Sequence, residues 1–275
     1  MKKLRVEWND VMEVIQNGQF RVEYFYKLEG LTLMRFPCDN VDFPSHFLQR
    51  FINLKNLVVR DASFEEIVLY EGKDDEENHI RVLAQLKKLE LSKLPKLMHL
   101  SKEGSQTCKI FQNLESLRVL ECGMLKILIP SALSFQCLTT LEVSNCHGLI
   151  NLMTSSTAKY LVQLTSLSVT ECKMIEEIIV SEENEVANEI IFQKLEHLRL
   201  RSLPSLTSFH SGKCAFTFPS LEEVFLIECP KMKFFSEGII STPELETVLL
   251  TEEDDEGYWE EDLNSTVQKL FVEMV

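Results

Sequence analysis

The chain has 275 residues, 45% of them hydrophobic, and 43 Asp/Glu against 28 Lys/Arg give a net charge of −15. That acidity argues against nonspecific binding to nucleic acid or an anionic membrane and favours a protein partner with a basic face. No run approaches the roughly 18 apolar residues of a membrane-spanning helix, and Glu7, Asn9, Asp10 and Glu13 break up any signal-peptide-like stretch at the start.

Taken in chain order, one nine-residue phrase recurs. It begins at Met1 (MKKLRVEWN), Leu28 (LEGLTLMRF), Leu54 (LKNLVVRDA), Leu86 (LKKLELSKL) and Leu114 (LESLRVLEC). It returns at Leu138 (LTTLEVSNC), Leu164 (LTSLSVTEC), Leu195 (LEHLRLRSL), Leu221 (LEEVFLIEC) and Leu245 (LETVLLTEE). The frame L-x-x-L-x-L/V-x-x-C at steps of 24 to 32 residues is that of a leucine-rich repeat. Its period of two predicts a short strand in each copy, with positions 4 and 6 inward and positions 3, 5, 7 and 8 outward. One copy cannot bury its apolar face, so the copies must stack. The expected fold is therefore an α/β solenoid, a leucine-rich-repeat horseshoe whose concave parallel sheet has about ten short strands.

The ninth position is Cys at 122, 146, 172 and 229, and Leu or Phe at 94, 203 and 36. Cys is small and a weak hydrogen-bond partner, which predicts an apolar inner ladder of buried free thiols. Eight cysteines without an export signal fit a reducing cytosol, and the absence of C-x-x-C leaves a zinc site little support. Apolar residues follow three and six places on: Leu125 and Leu128, Leu149 and Leu152, Ile175 and Ile178, Met232 and Phe235. Such steps predict irregular or 3₁₀-like convex turns, and Pro37, Pro95, Pro204 and Pro230 help end the strands.

Residues 1–60 hold nine Lys/Arg and seven Asp/Glu, and the remainder 19 and 36, so the negative charge lies in the later repeats. It concentrates in Glu71–His79, Ser181–Glu189 and Thr251–Asp262. These segments read as solvated loops or as contacts to a basic partner. The division expected is a solenoid over 1–253, then an acidic segment and C-terminal capping helix over 254–275. In that helix Ser265 and Gln268 have capping-box spacing and Val267, Leu270, Phe271 and Met274 are apolar at helical intervals.

Catalysis has little support. There is no phosphate-cradling glycine loop, H-E-x-x-H or G-x-S-x-G. The six histidines, at 46, 79, 99, 147, 197 and 210, fall in different repeats and read as surface or turn residues. No catalytic, cofactor-binding or metal-binding residue is assigned. Asn264-Ser265-Thr266 is a glycosylation sequon that a cytosolic protein would leave idle.

The LxxLxVxxC frames resemble the leucine-rich-repeat region of plant intracellular coiled-coil nucleotide-binding immune receptors. So do CKMIEEIIVSEE (Cys172–Glu183), IIFQKLEHLRLRSLPSLTSF (Ile190–Phe209), ECPKMKFF (Glu228–Phe235) and NDVMEVIQNGQF (Asn9–Phe20). The resemblance covers essentially the whole chain. It implies a non-enzymatic module that recognises pathogen-derived or guarded host proteins and restrains the nucleotide-binding domain of a full-length receptor. Neither a coiled coil nor a nucleotide-binding domain is carried over, and because Met1 already lies in a repeat frame the chain is expected to be a fragment, a truncated relative or a partial gene model. An F-box-like substrate adaptor and a leucine-rich-repeat enzyme inhibitor are the alternatives.

The outward positions supply the candidate partner-binding residues on the concave face: Arg118, Glu142, Arg199, Arg201, Glu223, Phe225, Ile227 and Leu249. Phe225, Ile227 and Leu249 are apolar where a soluble face should be polar. Two readings stand: an exposed docking patch rimmed by Glu223, Glu228 and Glu252, or a patch covered by Tyr258 and Trp259 folding back from the C-terminal segment.

Overall fold

A computed structural model describes residues 2–16, 25–37, 43–48, 50–67, 85–100, 111–129, 135–182, 189–251 and 257–274. The segment 71–79, most of 181–189, Glu252, His79, Cys38 and Cys108 lie outside the described residues.

Every repeat frame supplies one strand of a single ten-stranded parallel sheet. The strands are β1 (Lys3–Glu7), β2 (Gly30–Met34), β3 (Asn56–Arg60), β4 (Lys88–Ser92), β5 (Ser116–Leu120), β7 (Thr140–Ser144), β9 (Ser166–Thr170), β12 (His197–Arg201), β14 (Glu223–Ile227) and β16 (Val248–Leu249). Neighbours pair in register, position for position, as in Arg118 opposite Glu142 and Phe225 opposite Leu249. The leucine-rich-repeat solenoid is thus the observed architecture. Positions 4 and 6 are buried from β2 to β14: Leu117, Val119, Leu141 and Val143 are fully inaccessible. The two end frames leave these positions half-open, at Leu4 and Val6 in the first and at Leu250 in the last.

The strand ends carry a feature that alternation does not predict. Position 8 takes a left-handed backbone in eight successive frames, at Arg35, Asp61, Lys93, Glu121, Asn145, Glu171, Ser202 and Glu228, with φ between 51° and 57°. Asn and Asp tolerate this region, while the other residue types there are strained by about 1 kcal/mol each. The strain persists because the ladder continues through the corner. The amide of Glu121 donates to the Ser144 carbonyl at 2.9 Å, Asn145 to Thr170 at 3.1 Å and Glu171 to Arg201 at 2.9 Å. Strict alternation alone would turn position 8 inward; the corner turns it out, as expected of the frame, but at the rim of the sheet rather than on its face.

Behind the sheet lie two ladders. The thiols of Cys122, Cys146, Cys172 and Cys229 are buried and free. Each donates to the carbonyl two residues back, at 3.3–3.5 Å, and Cys146 and Cys229 also reach Val119 and Leu200 of the preceding frame. Hydrogen bonding among three of these thiols, with burial, pushes Cys122 and Cys172 up, while the thiols of Cys122 and Cys172 draw the middle one, Cys146, down. The second ladder is aromatic. Phe51, Phe111, Phe135, Phe192 and Phe218 each stand three residues before a frame and are buried. Phe111 stacks on Phe135 at 5.3 Å and Phe192 on Phe218 at 5.3 Å. The carbonyl of each closes a tight turn onto the first Leu of its frame, as in Leu138 N to Phe135 O at 3.2 Å.

The far side is more ordered than irregular turns. The Leu and Ile residues three and six places past Cys are buried, and single i to i+3 bonds such as Leu149 N to Cys146 O do form. Two three-stranded parallel sheets accompany them: β6 (Ile127–Ile129), β8 (Asn151–Thr154) and β10 (Glu177–Val180), and β11 (Glu189–Ile191), β13 (Ala215–Thr217) and β15 (Ile240–Ser241). Adjacent turns approach closely enough that a Cβ on Gly148 would lie 2.1 Å from the Gly123 carbonyl oxygen. His210 corrects the surface expectation: it is buried beside Phe216, its Nδ1 2.9 Å from the Ile179 carbonyl.

At the end of the stack Tyr258 pairs antiparallel with Val248 through two bonds of 2.8 and 2.9 Å, closing the sheet edge. A helix over Leu263–Met274 follows, burying Leu263, Val267 and Leu270. Its cap is Asp262, not Ser265: the Asp262 carboxylate accepts from the Ser265 amide at 2.8 Å, so the helix starts three residues earlier than capping-box spacing predicted. Val267, Leu270 and Phe271 face Leu226, Cys229 and Met232 across a small void. The Asn264 side chain is occupied, accepting from the amides of Phe235 and Ser236.

Candidate protein-recognition face

The outer face of the sheet divides by what its charged side chains do. On β3 to β7 they consume one another. Arg60 bonds Glu90, Arg118 lies 3.7 Å from the other oxygen of Glu90, and Arg118 grips Glu142 with two bonds of 2.8 and 2.9 Å. The bond to Glu142 holds the Arg118 guanidinium above its ordinary value. Such a bidentate, networked pair is stronger than an isolated surface ion pair, though still of order 1 kcal/mol. Arg118 and Glu142 are brought together, but with each other.

On β12, β14 and β16 the arrangement differs. The guanidinium of Arg199 lies 4.6 Å over the ring of Phe225, a cation–π contact across neighbouring strands. Leu249 occupies the same position on the next strand, and Arg201 and Ile227 are the adjacent pair nearer the corner. All five are half-buried. Glu223 receives His197 Nδ1 at 3.0 Å and remains half exposed. Six of the eight candidate residues therefore gather on three adjacent strands. The acidic rim is thinner than expected, because Glu228 sits at the corner, accepting from the Ser202 hydroxyl at 2.5 Å. Tyr258 and Trp259 are half-buried against the core. Tyr258 adds to the sheet edge, bonds Glu273 through its hydroxyl at 2.8–2.9 Å and lies under Lys269.

A second concavity follows the corners. Asn145, Glu171, Ser202 and Glu228 form one wall and His147, Lys173, Pro204 and Pro230 the other, enclosing about 640 Å³. A similar trough of about 630 Å³ involves Arg35, Asp61, Lys93, Pro95 and Glu121. Only the recurring polar residue before each Cys hinted at it. Among the described residues no cluster of three or more His, Cys, Asp or Glu is placed to hold a metal ion, and no helix is long and apolar enough to cross a membrane.

The family profile for the leucine-rich repeats of plant disease resistance protein RPS2-like sequences matches residues 1–134 and again 130–242. The chain belongs to this family. Disease resistance protein SUMM2 of Arabidopsis thaliana is 31% identical over 143 residues, which is 47% of this chain and 15% of that protein. The probable disease resistance protein At1g12290 of the same plant is 33% identical over 108 residues, 38% of this chain and 12% of its own length. A third, At4g14610, is 32% identical over 130 residues, 44% and 17% respectively. The match thus spans 12–17% of the length of these resistance proteins. No solved structure matches the chain. Within the RPS2-like family the repeat region is what these residues build, and its outer face and corner row are the surfaces it presents.

Proposed function

We propose that this repeat region is a non-enzymatic protein-recognition module of a plant disease resistance protein, acting in the cytoplasm during defence. Its partner is a pathogen-derived or guarded host protein, and in a full-length receptor the nucleotide-binding domain is a second partner that the region restrains. The observation that carries this reading is the half-exposed group of Phe225, Ile227 and Leu249 beside Arg199 and Arg201, on a face whose other outward apolar residues, Met34, Val58 and Leu120, stand singly among polar ones. Aromatic and arginine side chains at the centre of a polar surround make up the energetic core of protein interfaces. Glu223 adds negative charge beside it, favouring an apolar knob flanked by Lys or Arg.

The test is capture of partners from pathogen-challenged leaf extract on the tagged protein and on Phe225→Ala combined with Leu249→Ala. The double variant is expected to keep the melting temperature of the parent and to lose the captured protein. Retention of the same partners together with a large fall in melting temperature assigns the patch to the fold instead.

A further inference from the structure

We propose that the corner trough between the Asn145 and Glu228 walls is a second docking site, taking a single extended segment of a partner protein that carries a Lys or Arg beside apolar side chains. This surface is separate from the face around Phe225 and does not depend on the reading given to that face.

Width selects an extended chain. The walls at positions 8 and 10 of each frame are two residues apart along the backbone, no more than about 7 Å. A helix with its side chains is about 10–12 Å across and cannot enter; one extended strand can. Four frames contribute, and at about 4.8 Å per strand the trough runs about 14 Å, the length of four or five extended residues.

Chemistry selects the side chains. Toward β14 the position 10 wall consists of the exposed Pro204 and Pro230, rigid apolar rings on which apolar side chains can lie. Opposite them stands Glu228, whose bond is to the Ser202 hydroxyl and not to a cation. Toward β7 the wall is mixed. Lys173 and His147 line it together with Glu171 and Asn145. Charge there roughly cancels, so Glu228 sets the sign at the apolar end. The left-handed corner holds Glu171 and Glu228 outward at fixed spacing, which reduces the ordering that binding would require.

The probes are fluorescein-labelled peptides of eight residues alternating Lys with Leu, Glu with Leu, or Lys with Ser, read by fluorescence anisotropy. The Lys–Leu peptide is expected to bind best. Glu228→Lys and Pro204→Ser should each weaken it about tenfold, the scale of one lost charge-assisted or apolar contact. Glu237→Lys, an exposed position on the far side, makes the same change in net charge and should leave binding within about twofold. Phe225→Ala should also leave it unchanged. Equal weakening by Glu237→Lys would mean diffuse attraction to an acidic protein, and preference for the Glu–Leu peptide would mean the wrong sign; either overturns the proposal. Retained binding in both trough variants, with melting temperatures unchanged, overturns it as well.

Discussion

The two halves of the outer face belong to one sheet with the same register throughout, yet they present different chemistry. From β3 to β7 the position 5 residues are Val58, Glu90, Arg118 and Glu142, and the charged ones neutralise each other across neighbouring strands. From β12 to β16 they are Arg199, Phe225 and Leu249, and the one cation lies over an aromatic ring. An ion-paired ladder offers a partner little, because docking must desolvate charges that are already satisfied. A cation over a ring, with Leu249 and Ile227 beside it, presents apolar surface that a partner can cover. An in-register solenoid therefore turns small sequence differences between repeats into distinct regions of one continuous surface.

The largest expected effect comes from making the second half resemble the first. Phe225→Glu places a carboxylate beside Arg199, recreating the pairing of Arg118 with Glu142. Stability should stay within about 1 kcal/mol, while affinity for a partner seated on this half should fall about a hundredfold or more, the scale of a lost aromatic anchor. Arg118→Ala with Glu142→Ala should alter that affinity less than about fivefold. Equal losses from the two changes would erase the distinction.

Next in size is an effect on the core both halves share. Burial pushes the Cys229 thiol up to about 12 from 9.0. Between those values the unfolded chain has lost the proton while the folded chain keeps it. Stability is therefore fully present below about pH 8 and declines as pH rises from 9 toward 12. Denaturation midpoints measured across that range should fall for the parent and fall less for Cys229→Ala. A parallel decline in both would show that this thiol is not responsible. At neutral pH, Cys229→Ser should cost about 1–3 kcal/mol if its hydroxyl finds no stronger partner than the carbonyls of Leu200 and Ile227.

The smallest effect separates the two kinds of contact directly. Double-mutant cycles on Arg118 with Glu142 and on Arg199 with Phe225 should each give a coupling of about 0.5–1 kcal/mol. Raising salt from 0.05 to 1 M, chosen to span Debye lengths of roughly 14 to 3 Å, should shrink the first markedly and the second little. Equal salt sensitivity would show that the Arg199 contact is mainly ionic.

Much of this was legible in the residues. Period-two Leu and Val at positions 4 and 6 specify both the strands and their inward face, because a register slip of one would expose the whole set. The Arg118–Glu142 pair was also legible, as opposite charges at the same position of consecutive frames, yet both residues read singly as binding residues. Phe at the third residue before six of the ten frames, Phe25 included, carries a periodic signal of its own. Other features carried none. Glu121, Glu171 and Lys93 do not advertise a left-handed backbone, which arises only when the neighbouring frame supplies the carbonyl that fixes it. The far-side sheets depend on which turns stack, and the C-terminal helix start depended on choosing between two good caps, Asp262 and Ser265.

The left-handed corner has one more consequence. Its conformation is imposed by backbone pairing between repeats, so the side chain at that position is not recruited to define it. Arg, Asp, Lys, Glu, Asn and Ser all occupy the same slot with φ within a few degrees of one another. Eight slots in a row thus accept nearly any polar residue for a similar, modest conformational penalty. The rim of the sheet is a strip on which new specificities can be written without renegotiating the interior, one repeat at a time.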